Sequence, residues 1–552
     1  MTTAEEDRES TAGHNLWRLF SDVAAAVPDR EAIVWRKTRR TYKETHERAC
    51  RLANVLHDAG LGIHTERSEL KGWESGQDFV GMYLLNGPEF LETNLAGYAA
   101  RVAPFNVNYR YVAEELTYLL DDSGANGLVY SARFAPTLAE VLPRLKHRPK
   151  LLLQVADDSG EELLAGAMDY ERALAAASPE LKVTDQDLDD LYVVYTGGTT
   201  GMPKGTLWRQ ADIFVAAIGS LRANMTTHQI IEDAKADGAK ILPNAPFMHA
   251  AAQWVALNTL TSGGTMVINE VVDRLDPQEV WTTIEREKIA VMLMVGEPFA
   301  RPLITEFEKG RYDASPLLLI LSGGAVLSPE TKKRMTDQLP NVAIVDTAGG
   351  SETGANLQAM STKDNTTDAA AFIPSPRVQI LDETKSRVLA KDDHSVGWFA
   401  TSGAIPLGYN KDEKKSAATF VEVDGTRWSV LGDRARWRSD GMLELLGRDS
   451  VTINSGGEKI FAEEVEQAVI AHPGVNDAIV VGRPSEKWGN EVVAVIQTDK
   501  GVTDEEILAT AAQRISRYKL PKAIVRVDKV VRSPAGKADY RWAKKTATGA
   551  GA

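Results

Sequence analysis

The stretch Tyr195-Thr196-Gly197-Gly198-Thr199-Thr200-Gly201-Met202-Pro203-Lys204-Gly205 follows the short apolar run Leu191 to Val194. The apolar run predicts a buried strand, and the glycines begin where that strand must turn. Glycine lets backbone N–H groups approach a large anion, while the threonine hydroxyls and Lys204 add donors and a positive charge. The order of residues differs from the P-loop of kinases and GTPases, which needs Gly-Lys followed by Ser or Thr. The stretch therefore predicts a different kind of triphosphate-binding loop, and its alternative is a surface loop without a ligand.

Length and composition indicate a globular protein with more than one core. The chain has 552 residues, of which 43% are hydrophobic, so we expect at least two domains. The net charge of −14 argues against nucleic acid or an anionic membrane surface as a partner. No apolar run approaches the length of a membrane span and the N-terminus is polar, which predicts a cytoplasmic location. The single cysteine, Cys50, lies in a helical apolar pattern and is interpreted as a core residue rather than a nucleophile.

Helical spacing and strand-like runs alternate along most of the chain. The predicted segments are a helix over Thr41 to Gly60, a strand over Phe79 to Leu85, a helix over Pro88 to Ala100, strands over Val102 to Val107, Gly127 to Tyr130 and Leu151 to Val155, a helix over Asp212 to Asn224, and strands over Val291 to Val295, Leu317 to Leu321 and Val342 to Val345. This alternation predicts an α/β fold with mostly parallel sheets flanked by helices. From Pro376 to Arg448 short strands replace the helices, which predicts a β-rich subdomain.

The residues after Arg448 have the composition of a separate small domain. Thr503 and Glu506 form the pattern of a capping box, which predicts a helix that continues to Tyr518. We therefore divide the chain into a large domain over residues 1–448 and a small α+β domain over residues 449–552, which would act as a mobile lid.

Several predicted strands end in glycine-rich turns with polar residues. Leu317 to Leu321 leads into Gly323-Gly324-Ala325, and Val342 to Val345 leads into Gly349-Gly350-Ser351-Glu352. Ligands of open α/β sheets bind at the carboxyl ends of strands, so these turns should surround one crevice with the phosphate loop. Magnesium bound to a triphosphate takes one or two protein oxygens, which makes Glu352 a candidate ligand and Ser351 a candidate phosphate donor. Taken alone, a glutamate in such a loop is more often a surface acid than a metal ligand.

Three further residues have two readings each when taken alone. Asp433, after Gly432, can accept both hydroxyls of a ribose or can simply occupy a turn. His249, in an apolar setting, can position a substrate or can be a satisfied core residue. Lys537 lies on the tight turn that begins at Arg532, and its alternative is a solvated lysine.

Together these segments resemble the adenylate-forming superfamily of acyl-CoA synthetases, aryl-CoA ligases, luciferases and peptide-synthetase adenylation domains. The resemblance spans nearly the whole chain, from Thr41-Tyr42 to Lys537, and includes Gly408-Tyr409, Gly447-Arg448 and Gly456-Gly457-Glu458-Lys459. Within the superfamily, Asn454-Ser-Gly-Gly-Glu-Lys459 and Ala300-Arg-Pro-Leu303 are most similar to actinobacterial acyl-CoA synthetases that act on steroid side chains and fatty acids.

The resemblance implies a role for each matching residue. It makes Lys204 and the loop residues Thr196, Gly197, Gly198, Thr199, Thr200 and Gly201 a phosphate-binding loop. It places Gly323, Gly324, Ala325, Gly349 and Gly350 around adenine, and it places Asp433 on the ribose. It assigns Glu352 and Thr196 to Mg²⁺, Arg448 to the domain junction, Lys537 to the α-phosphate and the substrate carboxylate, His249 to the gate of the acyl pocket, and Gly456 and Gly457 to the pantetheine path. Two departures are Ala348, where the family often stacks an aromatic residue on adenine, and Ser450 at the hinge.

The implied reaction has two steps and uses ATP, Mg²⁺ and coenzyme A. A carboxylate attacks the α-phosphorus to give acyl-AMP and pyrophosphate, and the thiol of coenzyme A then displaces AMP.

Two alternatives are a ligase that delivers the acyl group to a carrier-protein thiol and a catalytically silent nucleotide-binding module. Small and apolar residues near His249, among them Ala250, Ala251 and Ala252, favour a bulky apolar acid such as a medium- or long-chain fatty acid or a steroid side-chain acid. A homodimer is expected on general grounds.

Overall fold

The fold is described from a computed structural model, which covers residues 13–196, 202–236, 238–368, 370–455, 458–485, 488–532 and 536–549. The described strands are β1 (Glu31–Trp35), β2 (Thr38–Thr41), β3 (Phe79–Tyr83), β4 (Ala103–Asn106), β5 (Gly127–Ser131), β6 (Leu151–Val155), β7 (Met168–Asp169), β8 (Leu191–Thr196), β9 (Lys204–Arg209), β10 (Lys240–Pro243), β11 (Thr265–Ile268), β12 (Val291–Met294), β13 (Leu319–Gly323), β14 (Ala343–Gly350), β15 (Gly354–Ser361), β16 (Ala371–Pro374), β17 (Val378–Leu381), β18 (Gly397–Ser402), β19 (Gly408–Tyr409), β20 (Phe420–Val423), β21 (Thr426–Ser429), β22 (Asp433–Trp437), β23 (Leu443–Arg448), β24 (Ile453–Ser455), β25 (Glu458–Ile460), β26 (Val475–Ser485), β27 (Gly489–Thr498) and β28 (Ala523–Arg526).

The α-helices lie between these strands for most of the chain. They are α1 (Leu16–Ala26), α2 (Tyr42–Asp58), α3 (Pro88–Ala99), α4 (Ala113–Ser123), α5 (Ala135–Val141), α6 (Tyr170–Ala176), α7 (Gln210–Ile213), α8 (Thr227–Ala236), α9 (Ala250–Leu260), α10 (Pro277–Glu287), α11 (Gly296–Phe307), α12 (Pro329–Gln338), α13 (Glu413–Thr419), α14 (Ala462–Ile470), α15 (Asp504–Ala511) and α16 (Tyr540–Ala547). Among the described residues, no helix is both long enough and apolar enough to cross a bilayer.

The described strands form a large mixed sheet and three smaller ones. In the large sheet β1, β11, β10, β12, β13 and β14 pair in parallel, and antiparallel strands continue it, namely β15 to β18 and β20 to β23. A second sheet, in the order β4-β3-β5-β6-β7, is parallel throughout. Parallel strands need helical crossovers, and the helices bury apolar faces against both sheets. The predicted α/β class with a β-rich subdomain is confirmed.

The strand before the predicted phosphate loop, β8, belongs to a small antiparallel sheet. β8 pairs antiparallel with β9, and β9 pairs antiparallel with β19, which forms a separate three-stranded sheet. The glycine loop therefore connects two strands of a hairpin, and Lys204 is the first residue of its second strand. The prediction of a strand that ends at the glycines is confirmed, but the loop does not follow a parallel strand.

Two predicted boundaries are wrong for identifiable reasons. Gly349 and Gly350 lie inside β14 because they pair with Ala355 and Gly354 of β15, so the turn itself contains only residues 351–353. The predicted helix over Asp212 to Asn224 is a short α-helix followed by a π-helical turn, Phe214–Ile218, in which the N–H of Gly219 donates to the carbonyl of Phe214. Hydrophobic spacing does not distinguish these two helical repeats.

The residues after β23 form their own sheet and core. The sheet has the order β25-β24-β27-β26 with β28 beside β27, and α14 packs its buried face against it. The predicted capping box of Thr503 and Glu506 is present, but the helix ends at Ala511 rather than Tyr518 because the chain turns to pack Ile515 into this core. The short helical turn Asp449–Val451 connects β23 to this sheet. The division at residues 448 and 449 stays a prediction.

Candidate active site

A chain of hydrogen bonds joins the start of the glycine loop to the turn between β14 and β15. Oγ1 of Thr196 lies 3.1 Å from Oγ of Ser351, and that hydroxyl donates to Oε2 of Glu352 at 2.7 Å. The hydroxyl of Tyr409 donates to the other oxygen, Oε1, at 2.8 Å. These oxygens are the hard donors that magnesium prefers, and a nucleotide-bound magnesium needs only one or two of them from the protein. Thr196 and Glu352 thus fit a magnesium ion that also contacts phosphate.

The backbone of this turn is fixed by side chains from two other strands and by a close backbone contact. The indole N–H of Trp208 donates to the carbonyl of Ser351, and the hydroxyl of Ser429 donates to the carbonyl of Glu352, both at 2.8 Å. Gly354 has a φ of +76°, and a Cβ there would overlap the carbonyl of Ala216 in the π-helical turn. The carboxylate of Glu352 is therefore held on a rigid turn.

Lys204 makes an ion pair in the structure. Its ammonium contacts Oδ2 of Asp412, whose other oxygen accepts the backbone N–H of Lys415 at the start of α13. Both side chains of the ion pair are partly exposed, at 39% for Lys204 and 26% for Asp412. Lys204 therefore faces a carboxylate that an incoming polyphosphate would have to compete with.

The carboxylate of Asp433 and the guanidinium of Arg448 lie side by side on paired strands. The two residues are direct neighbours in the β22–β23 ladder, and Nε of Arg448 lies 3.5 Å from Oδ1 of Asp433. Burial and the charge of Glu352 raise the pKa of Asp433, while Arg448 and Lys537 oppose that rise. The acid is therefore part of one charge cluster with Glu352 and both cations.

Lys537, from the small C-terminal part, joins the same cluster. Burial and the positive charge of Arg448 lower its pKa, whereas the carboxylates of Glu352 and Asp433 raise it. The preceding Gly536 packs against the large domain, since a Cβ there would lie 3.1 Å from Cγ1 of Val295. The structure thus brings together Lys537 and Glu352, which the sequence separates by 185 positions.

His249 lies at the N-terminus of α9, beside this cluster. Its Nε2 atom is buried, and within the described parts of the chain it has no hydrogen-bond partner. Burial, with the nearby charges of Lys537 and Arg110, lowers the pKa of His249 to about 4. The imidazole is therefore neutral at physiological pH, and Lys537 faces it across the site.

Buried amide side chains hold the loop that carries His249. Asn86 donates to the carbonyl of Ala245 and accepts the N–H of Phe247, at 3.1 and 2.6 Å. Asn106 donates to the carbonyls of Met248 and Tyr195, at 2.7 and 2.8 Å. These contacts tie the loop to the strand that leads into Thr196, and nothing in the sequence pattern around Asn86 or Asn106 indicated them.

The expected adenine-pocket residues lie on neighbouring strands. Gly323 ends β13 and is paired with Thr347 of β14, two positions before Gly349. Gly324, with a φ of +83°, and Gly349 are exposed, whereas Ala325 and Gly350 are half-buried. Ala348 packs towards the apolar core of the β-rich subdomain. The remaining predicted residues, Gly197, Gly198, Thr199, Thr200, Gly201, Gly456 and Gly457, lie outside the described residues.

The arrangement combines oxygens suited to a metal, a carboxylate suited to ribose hydroxyls, and two cations suited to a phosphate ester. Sequence reasoning did not assign roles to Trp208, Tyr409, Ser429 and Asp412, which hold the predicted residues in place. Of these, Tyr409 lies in a motif that the resemblance already contained.

The sequence matches two families of known proteins. Residues 20–404 match the family described as AMP-binding enzyme, and residues 464–537 match the AMP-binding enzyme C-terminal domain. A medium-chain acyl-CoA ligase, Mig, of Mycobacterium avium is 50% identical over 547 residues, which cover 98% of this chain and 99% of that protein. A 3-oxocholest-4-en-26-oate–CoA ligase of Rhodococcus rhodochrous is 38% identical and covers 96% of this chain and 95% of its own length.

Solved structures share the fold over almost the whole chain. An anthranilate CoA ligase, AuaEII, in complex with anthranoyl-AMP superposes with a TM-score of 0.81 at 18% identity, covering 98% of this chain and 99% of that one. ATP-bound MatB from Rhodopseudomonas palustris superposes with a TM-score of 0.78 at 24% identity, covering 96% and 98%.

Proposed function

The chain belongs to the family of AMP-binding enzymes and is an ATP-dependent acyl-CoA ligase, and we propose that its acid substrate is a medium-chain fatty acid or an acid of similar size and polarity. The observation that carries the choice of substrate is the 50% identity with a medium-chain acyl-CoA ligase over nearly the full length of both chains. The 38% identical relative that is named for a steroid acid supports a pocket with room for a bulkier apolar group.

The walls of the predicted acyl pocket support an apolar substrate. Helix α9 is buried on most of its surface, but Ala251, Trp254, Val255 and Asn258 are only half-buried. Their spacing places them on one face of the helix, so one largely apolar face is less covered than the rest. At its far end Arg222 donates to Oδ1 of Asn258 at 2.6 Å. We propose that the acyl chain lies along this face and that the polar pair limits its length.

The first step joins the acid to AMP. Oxygen of the substrate carboxylate attacks the α-phosphorus of ATP, and the bond to the pyrophosphate oxygen breaks. Lys537 would compensate the negative charge that gathers at the α-phosphate, and Asp433 would hold the ribose. Thr196 and Glu352 would hold Mg²⁺, which supplies charge neutralisation on the phosphates when bound.

The second step transfers the acyl group to coenzyme A. The sulfur of the thiol attacks the acyl carbon, and AMP leaves with the electrons of the acyl–oxygen bond. Lys537 lies in one charge cluster with Glu352 and Asp433 in the present arrangement, and we propose that the lid rotates about Ser450 to open a path for the thiol. The short helical turn Asp449–Val451 is the segment that would absorb the rotation.

The substrate proposal is tested by a series of carboxylic acids. Saturated acids from acetate to palmitate and a steroid side-chain acid are compared at equal concentration by AMP release and by formation of the acyl-CoA. We expect the highest kcat/KM for chains of medium length and very little activity with acetate. A maximum at acetate or at palmitate would contradict the substrate proposal, and AMP release without acyl-CoA would instead favour another acceptor.

Removing the charge of Asp412 is expected to improve ATP binding. Asparagine caps helices as well as aspartate does, so Asp412→Asn should keep the N-cap of α13. The substitution removes the ion pair with Lys204, which then can bind the polyphosphate. Exposed ion pairs contribute less than about 1 kcal/mol, so the KM for ATP should fall by about two- to fivefold. Steady-state kinetics with varied ATP measure the effect. Asp276→Asn, at the N-cap of α10, is the matched control, and an increase in KM would show that Asp412 helps Lys204 to bind ATP.

A further inference from the structure

Glu463 reaches from the lid back to the large domain across the hinge. It lies in the first turn of α14, and its Oε1 atom accepts the backbone N–H of Arg448 at 3.4 Å. A Cβ on Gly447 would overlap the carboxyl group, so only a glycine leaves room for this contact. The side chain thus touches the last residues of β23, although its own helix belongs to the lid.

The carboxyl group of Glu463 is buried among the charges of the nucleotide site. Its Oε2 atom has no hydrogen-bond partner among the residues that the structure describes. Burial and the negative charge of Asp433 raise the pKa of Glu463, while the positive charge of Arg448 opposes the rise. A carboxyl group buried at this place is retained only if the surrounding contacts compensate its desolvation.

The position of Glu463 is set by a firmly anchored helix. Glu466, one turn further along α14, is buried and accepts the backbone N–H of Val480 at 2.8 Å. This bond fixes α14 to β26 of the lid sheet. A movement of the lid as a body must therefore carry Glu463 with it and separate it from Arg448.

Two other contacts join the lid to the large domain. Gly536 packs against Val295, and Nη1 of Arg301 lies 3.4 Å from Oδ1 of Asn476. Both contacts belong to the arrangement in which Lys537 occupies the site. Glu463, in contrast, contacts Arg448 next to the hinge. Arg448 is also the residue that pairs with Asp433.

We propose that Glu463 is a positioning residue that holds the lid in the arrangement for acyl-AMP formation by engaging Arg448. The inference rests on the proposed two-step function and on rotation of the lid between the steps. In the first step the contact keeps the lid, and with it Lys537, against the nucleotide. After rotation the carboxyl group is free of Arg448, so the second step does not depend on it.

The test measures the two half-reactions separately in the full-length enzyme. Acyl-AMP formation is followed by ATP–pyrophosphate exchange, and thioester formation is followed with supplied acyl-AMP and coenzyme A. Glu463→Ala should slow the first half-reaction about tenfold, as expected for the loss of a buried hydrogen bond, and should change the second less than about twofold. Glu463→Gln keeps an oxygen that accepts the N–H of Arg448, so it should recover most of the first half-reaction.

The matched control is Glu505→Ala, which removes an acid from the same position of another lid helix. Glu505 is the second residue of α15, as Glu463 is of α14, and it is exposed. It should leave both half-reactions unchanged. Equal losses in both half-reactions for Glu463→Ala, or no loss in either, would overturn the proposal, as would failure of Glu463→Gln to recover activity with an unchanged unfolding temperature. Absence of pyrophosphate exchange in the wild-type enzyme would instead overturn the proposed function.

Discussion

Lys537→Ala is expected to lower the rate of acyl-AMP formation by about 10²- to 10³-fold, the loss typical for one preorganised donor to a developing charge. The carboxylates of Glu352 and Asp433 favour the charged form of Lys537. It would therefore bring a positive charge to the α-phosphate, where negative charge gathers during this step. No neighbouring side chain replaces it in the variant, because Arg448 is already paired with Asp433.

The same variant should leave the second half-reaction nearly intact. Supplied acyl-AMP already contains the bond that Lys537 helps to form, and the thiol attacks the acyl carbon after the lid has rotated. Rapid-quench measurement of acyl-CoA from supplied acyl-AMP should therefore differ from wild type by less than about threefold. Lys545→Ala removes an exposed lysine of the same domain and serves as the control for a change of lid charge. Equal loss in both half-reactions would refute the division of labour between the two lid positions.

Local sequence signals predicted the elements of the fold well. The strand Leu151–Val155 has the predicted bounds, and the Thr503–Glu506 pattern forms the capping box that its spacing indicates. Both features depend on residues that are close in the chain. The π-helical turn at Phe214 was missed because its apolar residues have the same spacing as those of an α-helix, and its wider repeat is stabilised by contacts with Gly354 and Arg377.

The sequence predicted which residues form the candidate site, but it did not predict the contacts that hold them in place. The resemblance supplied Glu352, Asp433 and Lys537, since each lies in a recognisable motif. The partners that fix them come from remote segments: Asp412 meets Lys204, Trp208 meets the Ser351 carbonyl, and Asn106 meets the His249 loop. Such pairs depend on sheet order, in which β19, β9 and β8 become neighbours, and no local pattern encodes that order.

The contact between Glu463 and Arg448 is another one that the local sequence pattern does not predict. In the sequence Glu463 is one of two adjacent acids at the start of a helix, a pattern that the helix dipole alone explains. Its neighbour Glu464 forms an ion pair with Lys519 inside the lid, at 2.6 Å. The contacts of Glu463 and Glu464 differ because the lid lies against β23, which Glu463 reaches and Glu464 does not.

Glu352→Gln is expected to weaken magnesium binding more than it destabilises the fold. Both oxygens of Glu352 accept hydroxyl hydrogen bonds, from Ser351 and from Tyr409. A hydroxyl can also accept, so the amide of glutamine can keep both contacts while the negative charge is lost. Magnesium prefers carboxylate oxygen, and we expect kcat/KM for ATP to fall by about 10²-fold with a higher magnesium concentration at half-maximal rate.

Tyr409→Phe distinguishes the contribution of the charge of Glu352 from that of its orientation. This variant keeps the carboxylate but removes the hydrogen bond to Oε1, so its rate should fall by only about tenfold with an unchanged dependence on magnesium. The measurement is the initial rate of pyrophosphate release at varied magnesium and saturating acid, with thermal unfolding as the control for the fold. Because acyl-AMP carries no pyrophosphate, Glu352→Gln should still convert supplied acyl-AMP to the thioester at a rate close to wild type. A wild-type magnesium dependence in Glu352→Gln would remove Glu352 from the metal site and leave it as a structural acid of the turn.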